Sequence, residues 1–148
     1  MNVKELMCND VVSCNLSSTL DEVALKMWNN DCGAVPIVDD QNKPIGIITD
    51  RDIAIGAAMK HRSLGDITTD EVNNGRTVFT CQQEDDVKTA QATMQSEKIR
   101  RLPVVDEQGH LSGMVSIGDL VSYSQQRKGA KLPYADTMTT LKSVTGHH

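Results

Sequence analysis

A motif of seven residues occurs twice in this chain, 67 positions apart, and no other feature restricts the fold as strongly. Gly46-Ile47-Ile48-Thr49-Asp50-Arg51-Asp52 returns as Gly113-Met114-Val115-Ser116-Ile117-Gly118-Asp119. The same offset relates Met27 to Met94, Pro36 to Pro103, Val38 to Val105 and Asp39 to Asp106. The chain is therefore expected to contain two copies of one unit. A lobe of about 60 residues is marginally stable alone and two copies are too few for a solenoid. We therefore expect the copies to pack sheet to sheet about a pseudo-twofold axis.

Each copy of the motif combines a strand, a hydroxyl and a carboxylate. The apolar residues after the glycine predict a short buried strand, and the hydroxyl falls where a helix begins. Free backbone amides at that point favour an anionic group such as a phosphate, and a carboxylate three residues later accepts hydrogen bonds from the hydroxyls of a ribose. Thr49 and Asp52, with Ser116 and Asp119, are the candidates. Alternatively, each hydroxyl only caps its helix.

Other parts of the sequence predict the same order of elements in both halves. Residues 11–14, 34–38 and 45–49 suit strands in the first half, and residues 78–81 and 102–105 do so in the second. A capping box at Thr19 and Glu22 opens a helix, and another helix covers residues 50–59. Helical apolar stripes consist of Leu20, Val23, Ala24, Met27 and Trp28, and of Val87, Ala90 and Met94. The predicted fold is of the mixed α/β (α+β) class, with two β-α-β-β-α repeats.

Repeat boundaries follow from this pattern. Residues 1–60 form the first repeat, residues 61–124 the second, and residues 125–148 a tail. Residues 73–76 form a small insertion in the second copy. The tail either wraps a neighbouring subunit or is loose. Because no helical period persists in it and chain termini are often poorly ordered, we expect a loose tail.

Composition excludes several functions. The net charge of −5 disfavours nucleic acid, and 3% aromatic residues leave few surfaces for base stacking. No apolar run approaches about 18 residues, and residues 1–5 lack the features of a signal peptide. We expect a cytoplasmic protein that does not bind membranes.

Catalytic and metal-binding patterns are not found in the sequence. It contains neither a P-loop nor a nucleophile elbow. Cysteines 8, 14, 32 and 81 have neither C-x-x-C spacing nor histidines at zinc-finger intervals, so reduced thiols without disulfides are expected. His61 and His110 fall in predicted turns, and His147 and His148 are either native surface residues or a tag remnant. We expect no metal site and no enzyme activity, with metal binding by the terminal pair as a minor alternative.

Together, the two motifs and the Val-Pro strands before them resemble the cystathionine-β-synthase (CBS) domain pair, or Bateman module, over about residues 3–124. The resemblance implies a stand-alone bacterial protein that binds AMP, ADP, ATP, S-adenosylmethionine or NAD-type ligands in clefts between its repeats. Such modules are usually regulatory sensors. The resemblance also implies a homodimer, an unknown regulated protein and no catalytic cofactor. The alternatives are a structural interaction module without ligand and, less favoured, a nucleotide-processing enzyme.

The resemblance also assigns roles to individual residues. It puts Asp52 on ribose and Thr49 on phosphate in one cleft, and Asp119 and Ser116 in the other. Ser13, Cys14, Val35 and Pro36 would face the base in the first cleft, and Thr80, Cys81, Leu102 and Pro103 in the second. For each apolar member, packing in the core is the alternative.

Charge distinguishes the copies. Arg100 and Arg101 precede the second Val-Pro strand, whereas Gly33 and Ala34 precede the first. In similar family members a basic pair at this place reaches phosphates held by the preceding repeat, so Arg100 and Arg101, with Arg51, would serve the Asp52 cleft. The alternative is that all three are surface charges in weak ion pairs. We therefore expect the Asp52 cleft to bind a charged phosphate first.

Overall fold

The computed structural model describes residues 1–146, which form a mixture of helices and small sheets of the α+β class. Within this range the helices are α1 (Leu20–Asn29), α2 (Asp50–Lys60), α3 (Thr69–Asn73), α4 (Val87–Glu97), α5 (Ile117–Tyr123) and α6 (Tyr134–Thr145). The strands are β1 (Ala34–Val38), β2 (Pro44–Thr49), β3 (Cys81–Gln82), β4 (Arg101–Val105) and β5 (Leu111–Ser116). Single 3-10 turns lie at Val3–Glu5 and Leu64–Asp66. None of the described helices is long and apolar enough to span a membrane.

Two compact units divide the chain. The repeat-1 unit is Val11–Val78, and the repeat-2 unit combines Met1–Asp10 with the chain from Phe79 onward. The first ten residues of the chain therefore belong to the same unit as the second motif. The predicted division into consecutive repeats had placed them with the first motif. The boundaries at residues 60 and 124 stay predictions.

In the repeat-1 unit, β1 pairs antiparallel with β2, which places Val35 opposite Ile48. The strand predicted at residues 11–14 is reduced to one bridge: the Cys14 amide donates to the Pro36 carbonyl (3.0 Å), and the Val38 amide donates to the Cys14 carbonyl (2.8 Å). The core consists of Cys14, Leu20, Val23, Met27, Val35, Ile37, Ile48, Ile53 and Ile67.

Helix α1 confirms most of its predicted stripe. The capping box at Thr19 and Glu22 is present, and Leu20, Val23 and Met27 are buried. The prediction was wrong for Trp28, whose exposed fraction is 83%. The other stripe positions already cover the core on this ten-residue helix, and a bulky side chain at its edge is left facing outward.

In the repeat-2 unit, β3 runs parallel to β4, which pairs antiparallel with β5. The strand predicted at residues 78–81 begins only at Cys81. The core contains Val3, Leu6, Cys81, Val87, Ala90, Met94, Leu102, Val104, Val115, Leu120, Leu132 and Val144.

The prediction of a loose tail was wrong. Helix α6 packs against α4 and α5, and Leu132 and Val144 are 3% and 1% exposed. Buried threonines supply much of its inner face: Thr140 Oγ1 accepts a hydrogen bond from Gln95 Nε2 (2.9 Å). Because an apolar-residue count ignores threonine, the helical period was not visible in the sequence. His147 and His148 lie outside the described residues.

The motif glycines let another segment approach the sheet in each unit. A Cβ at Gly113 would lie 2.6 Å from the Cys8 carbonyl oxygen, and residue 8 exchanges two backbone hydrogen bonds with Met114 (2.8 and 3.0 Å). A Cβ at Gly46 would lie 2.8 Å from Oδ1 of the buried Asn73. Close packing therefore favours glycine at both positions, and most strongly at Gly113, whose nearest neighbour is backbone.

Candidate ligand sites at the strand-to-helix junctions

Both copies of the motif form the same junction. Strand β2 ends at Thr49 and α2 begins at Asp50, while β5 ends at Ser116 and α5 begins at Ile117. At the first junction, the Thr49 amide donates to Asp52 Oδ2 (2.9 Å) and the Asp52 amide donates to Thr49 Oγ1 (3.2 Å). This reciprocal capping box satisfies two amides that the helix leaves unpaired.

The second junction has nearly the same geometry. The Ser116 amide and hydroxyl both donate to Asp119 Oδ2 (2.8 and 3.1 Å), and the Asp119 amide donates to Ser116 Oγ (3.2 Å). Both hydroxyls therefore cap their helices, and contact of Thr49 or Ser116 with a phosphate stays a prediction. Capping also holds each carboxylate in one orientation, a precondition for precise recognition of a ligand.

An arginine that the sequence analysis did not assign to a site covers the first carboxylate. Arg76 Nη1 donates to Asp52 Oδ1 (3.1 Å) and Nη2 donates to Oδ2 (3.2 Å). Nη2 also lies 3.4 Å from the Ile47 carbonyl oxygen. The turn that brings Arg76 here passes through Asn74 and Gly75, both with positive φ.

Electrostatics at Asp52 follow from these contacts. Burial raises its pKa, but hydrogen bonds from Arg76 and Thr49, with the charge of Arg76, lower it more. The net pKa of Asp52 lies below its ordinary value, so the carboxylate is ionised at neutral pH. Within residues 1–146, Asp119 makes no ion pair and its Oδ1 accepts no hydrogen bond.

Half of the predicted base-facing residues belong to the core of their own unit. Cys14 and Val35 are in the core of the repeat-1 unit, and Cys81 and Leu102 are in that of the repeat-2 unit. Pro36 and Pro103 are buried, Ser13 is half-buried and Thr80 is exposed. The core alternative therefore describes the four core members, and contact of any of the eight with a base stays a prediction.

The predicted phosphate-binding arginines are divided between the units. Arg51 is exposed in the first turn of α2, beside Asp52. Arg100 and Arg101 belong to the repeat-2 unit, so their contact with a phosphate bound near Asp52 stays a prediction. Within its own unit, Arg101 lies opposite Ser116 in the β4–β5 register, a proximity that the sequence analysis did not anticipate.

The two buried thiols, of Cys14 and Cys81, are not reactive groups, and the described residues hold no cluster of metal ligands. Burial raises the pKa of Cys14 to about 11, against smaller opposing effects of Lys26 and Thr69. Burial and the charge of Asp85 raise the pKa of Cys81 to about 12. These thiols are therefore protonated and inert at neutral pH. In the part of the chain that the structure describes, no three His, Cys, Asp or Glu side chains converge as a metal site would require.

Two repeats with the order helix, strand, strand, helix (α1-β1-β2-α2 and α4-β4-β5-α5), each with a capped carboxylate at its strand-to-helix junction, define a tandem-repeat α+β module. The CBS domain family model matches residues 3–56 and 64–126. The chain belongs to the CBS domain family and carries the domain twice.

Known proteins support this assignment. The chain is 32% identical over 121 residues to the protein MK0525 of Methanopyrus kandleri, covering 82% of this chain and 61% of that protein. The chain thus spans less than two thirds of this relative. CBS domain protein PAE2072 of Pyrobaculum aerophilum, solved with AMP, is 26% identical with a TM-score of 0.71, over 81% of this chain and 90% of that chain. The CBS domain pair of protein MJ0100, solved with 5'-methylthioadenosine and S-adenosyl-L-methionine, is 26% identical with a TM-score of 0.69, over 82% and 94%.

Proposed function

We propose that this chain is a regulatory sensor module that binds adenosine-containing ligands at its two junctions. The ligand class comprises AMP, ADP, ATP, S-adenosylmethionine and NAD-type compounds. Asp52 and Asp119 bind the ribose hydroxyls in this proposal. The observation that carries it is the duplicated junction, in which the capping box fixes each carboxylate through Oδ2.

Two solved relatives support the ligand class. PAE2072 was solved with AMP, and the pair from MJ0100 with methylthioadenosine and S-adenosylmethionine. These three ligands share an adenine and a ribose with two adjacent hydroxyls, whereas only AMP carries a phosphate. A carboxylate that accepts hydrogen bonds from both hydroxyls suits this shared ribose, because an ionised acceptor forms stronger hydrogen bonds than a neutral one.

Binding without turnover is part of the proposal. The buried, protonated thiols of Cys14 and Cys81 are poor nucleophiles, and the junction carboxylates are already engaged in capping. Ligand occupancy is instead read out by a regulated partner protein, and the module works in the cytoplasm. A structural interaction module without ligand is the alternative, and the observation that favours it is that capping alone explains both hydroxyls.

Self-association completes the proposal. Helices α1 and α2 of the repeat-1 unit expose Leu25 (60%), Trp28 (83%), Ile55 (45%) and Met59 (75%). Large apolar side chains exposed together are typical of interaction surfaces. We assign this apolar helix face to a homodimer.

Calorimetric titration of AMP, ADP, ATP, S-adenosylmethionine and NAD into the full chain tests ligand binding. We expect Asp52→Asn and Asp119→Asn each to remove one binding event. Asp86→Asn is the matched control, because Asp86 also caps a helix but lies outside both motifs. Chromatography after incubation should recover the nucleotides intact. No binding of any ligand would favour the structural module, and conversion that scales with protein concentration would favour an enzyme.

A further inference from the structure

The hydrogen-bonding capacity of Asp52 is nearly used up inside its own unit. A carboxylate oxygen has two lone pairs. Oδ2 accepts from the Thr49 amide (2.9 Å) and from Arg76 Nη2 (3.2 Å), and Oδ1 accepts from Arg76 Nη1 (3.1 Å). One acceptor position is left. A ribose diol offers two adjacent donors, as the fork of a guanidinium does. The diol and Arg76 therefore need the same edge of the carboxylate.

Asp119 is arranged differently. Both of its capping hydrogen bonds end on Oδ2, so both lone pairs of Oδ1 are outside the capping box. The two carboxylates differ because different groups occupy the carbonyl oxygen at equivalent positions of β5 and β2. The Met114 carbonyl oxygen accepts the Cys8 amide (2.8 Å), whereas the equivalent carbonyl oxygen, of Ile47, faces Arg76 Nη2 (3.4 Å). Backbone covers this edge of β5, and an arginine side chain covers the same edge of β2.

We propose that Arg76 is an internal competitor for the ribose at Asp52, so that the Asp119 site fills first and the Asp52 site binds only when the guanidinium is displaced. This inference rests on the proposed function. It reverses the order expected from the sequence, in which arginines favoured the Asp52 site. Arg76 acts here as a specificity-determining residue that lowers affinity at one of two otherwise similar sites.

Displacement of Arg76 is feasible. Its side chain is 49% exposed, and a Cβ at the preceding Gly75 would have no neighbour within 4 Å, so no packed residue beside Gly75 blocks the movement. An ion pair at this exposure contributes little net stability because water screens it. Competition of this size changes the dissociation constant by about two- to fivefold, which tunes a site rather than abolishing it.

The test measures the Asp52 site alone, in full-length Asp119→Ala protein. AMP is titrated by calorimetry into Asp119→Ala with and without Arg76→Ala, Arg76→Gln or Arg76→Lys. We expect Arg76→Ala and Arg76→Gln to tighten AMP binding about two- to fivefold. Arg76→Lys keeps the charge but loses the fork, so its affinity should lie between theirs and that of the protein with Arg76. The control is Arg62→Ala, which removes an arginine ion-paired with Glu71 in the same unit and should leave the affinity unchanged.

A second measurement uses adenosine, which is neutral, so added salt does not screen any charge of the ligand. In Asp119→Ala, adenosine should bind more tightly as salt rises, because salt weakens the Arg76–Asp52 pair. In Asp119→Ala with Arg76→Gln this salt dependence should vanish. Circular dichroism checks that each variant is folded.

The possible results separate the two proposals. Weaker AMP binding on loss of Arg76, in folded protein, overturns the competition and makes Arg76 a ligand contact. Unchanged affinity overturns it too and leaves Arg76 a structural role in holding its turn. Wild-type protein that binds no adenosine-containing ligand would instead overturn the proposed function.

Discussion

The two repeat units build the same capped junction but cover it with different neighbours. In the repeat-1 unit, Arg76 lies on the carboxylate and helices α1 and α2 expose large apolar side chains. In the repeat-2 unit, Asp119 keeps an oxygen free of capping, and α6 packs against α4 and α5 and leaves Val121 and Tyr123 of α5 exposed. The duplicated motif thus determines the backbone and the cap, whereas residues outside the duplication determine what reaches the site and which helix face is open.

The largest expected effect concerns the dependence of the repeat-2 unit on its tail. Leu132→Ala should lower the free energy of unfolding by about 3 kcal/mol, because Leu132 is 3% exposed and its removal leaves a cavity. Urea denaturation measures this loss. Met138→Ala, at a 51% exposed position on α6, is the control and should change stability by less than about 0.5 kcal/mol. A loss below about 1 kcal/mol for Leu132→Ala would mean that the tail does not stabilise this unit.

The motif glycines give the next effect. Gly113→Ala should cost about 2–3 kcal/mol, since its Cβ would meet the Cys8 backbone carbonyl at 2.6 Å. Gly46→Ala should cost about 1 kcal/mol, because its nearest neighbours are side chains, of Asn73 and Ile37, which can shift. Thermal and urea unfolding of the two variants make a matched pair. Equal costs would contradict the difference between backbone and side-chain neighbours.

A smaller effect is expected in how stability depends on pH, through the Asp52 carboxylate and its partner Arg76. Because the folded pKa of Asp52 is lowered, its contribution to stability is present above the unfolded value of about 4 and is lost as pH falls through the folded pKa. Unfolding free energies between pH 6 and pH 2.5 should therefore fall less steeply in Arg76→Ala than in wild type. The difference should be at most about 1 kcal/mol, since Arg76 is half exposed and screened by solvent. Superimposable pH profiles would show that the pair is not formed in solution.

The smallest effect on stability belongs to the apolar helix face. Trp28→Ser should change the free energy of unfolding of the monomer by less than about 0.5 kcal/mol, because the side chain is 83% exposed. Light scattering should nevertheless report a dimer for wild type and a shift towards monomer for this variant. Tyr134→Ser, at a 51% exposed position of the repeat-2 unit, is the control. A dimer unaffected by Trp28→Ser would move the interface away from this face.

Local signals in the sequence predicted much of the fold. The strand order, the capping box at Thr19 and the junctions at Thr49 and Ser116 depend on residues at most a few positions apart. Helix α6 was missed because threonines form part of its buried face. Trp28 was misplaced because an apolar stripe does not state how far the core extends across the helix.

The candidate site was only partly predictable. Asp52 and Asp119 stand out because the motif is repeated, and the repeat also predicts that their junctions are alike. The partner of Asp52 is 24 residues further along the chain, after a left-handed turn, and no local pattern connects them. Arg76 fell in a segment interpreted as an insertion, and tertiary packing alone brings it to the carboxylate.

The division of the chain into units also affects the order in which the protein folds during synthesis. All of the repeat-1 unit lies in one stretch, Val11–Val78, so it is complete soon after that stretch leaves the ribosome. The repeat-2 unit joins Met1–Asp10 to residues made after Val78. Its first ten residues, with the apolar Val3 and Leu6, must therefore wait, without their partners, until the second half of the chain has been translated.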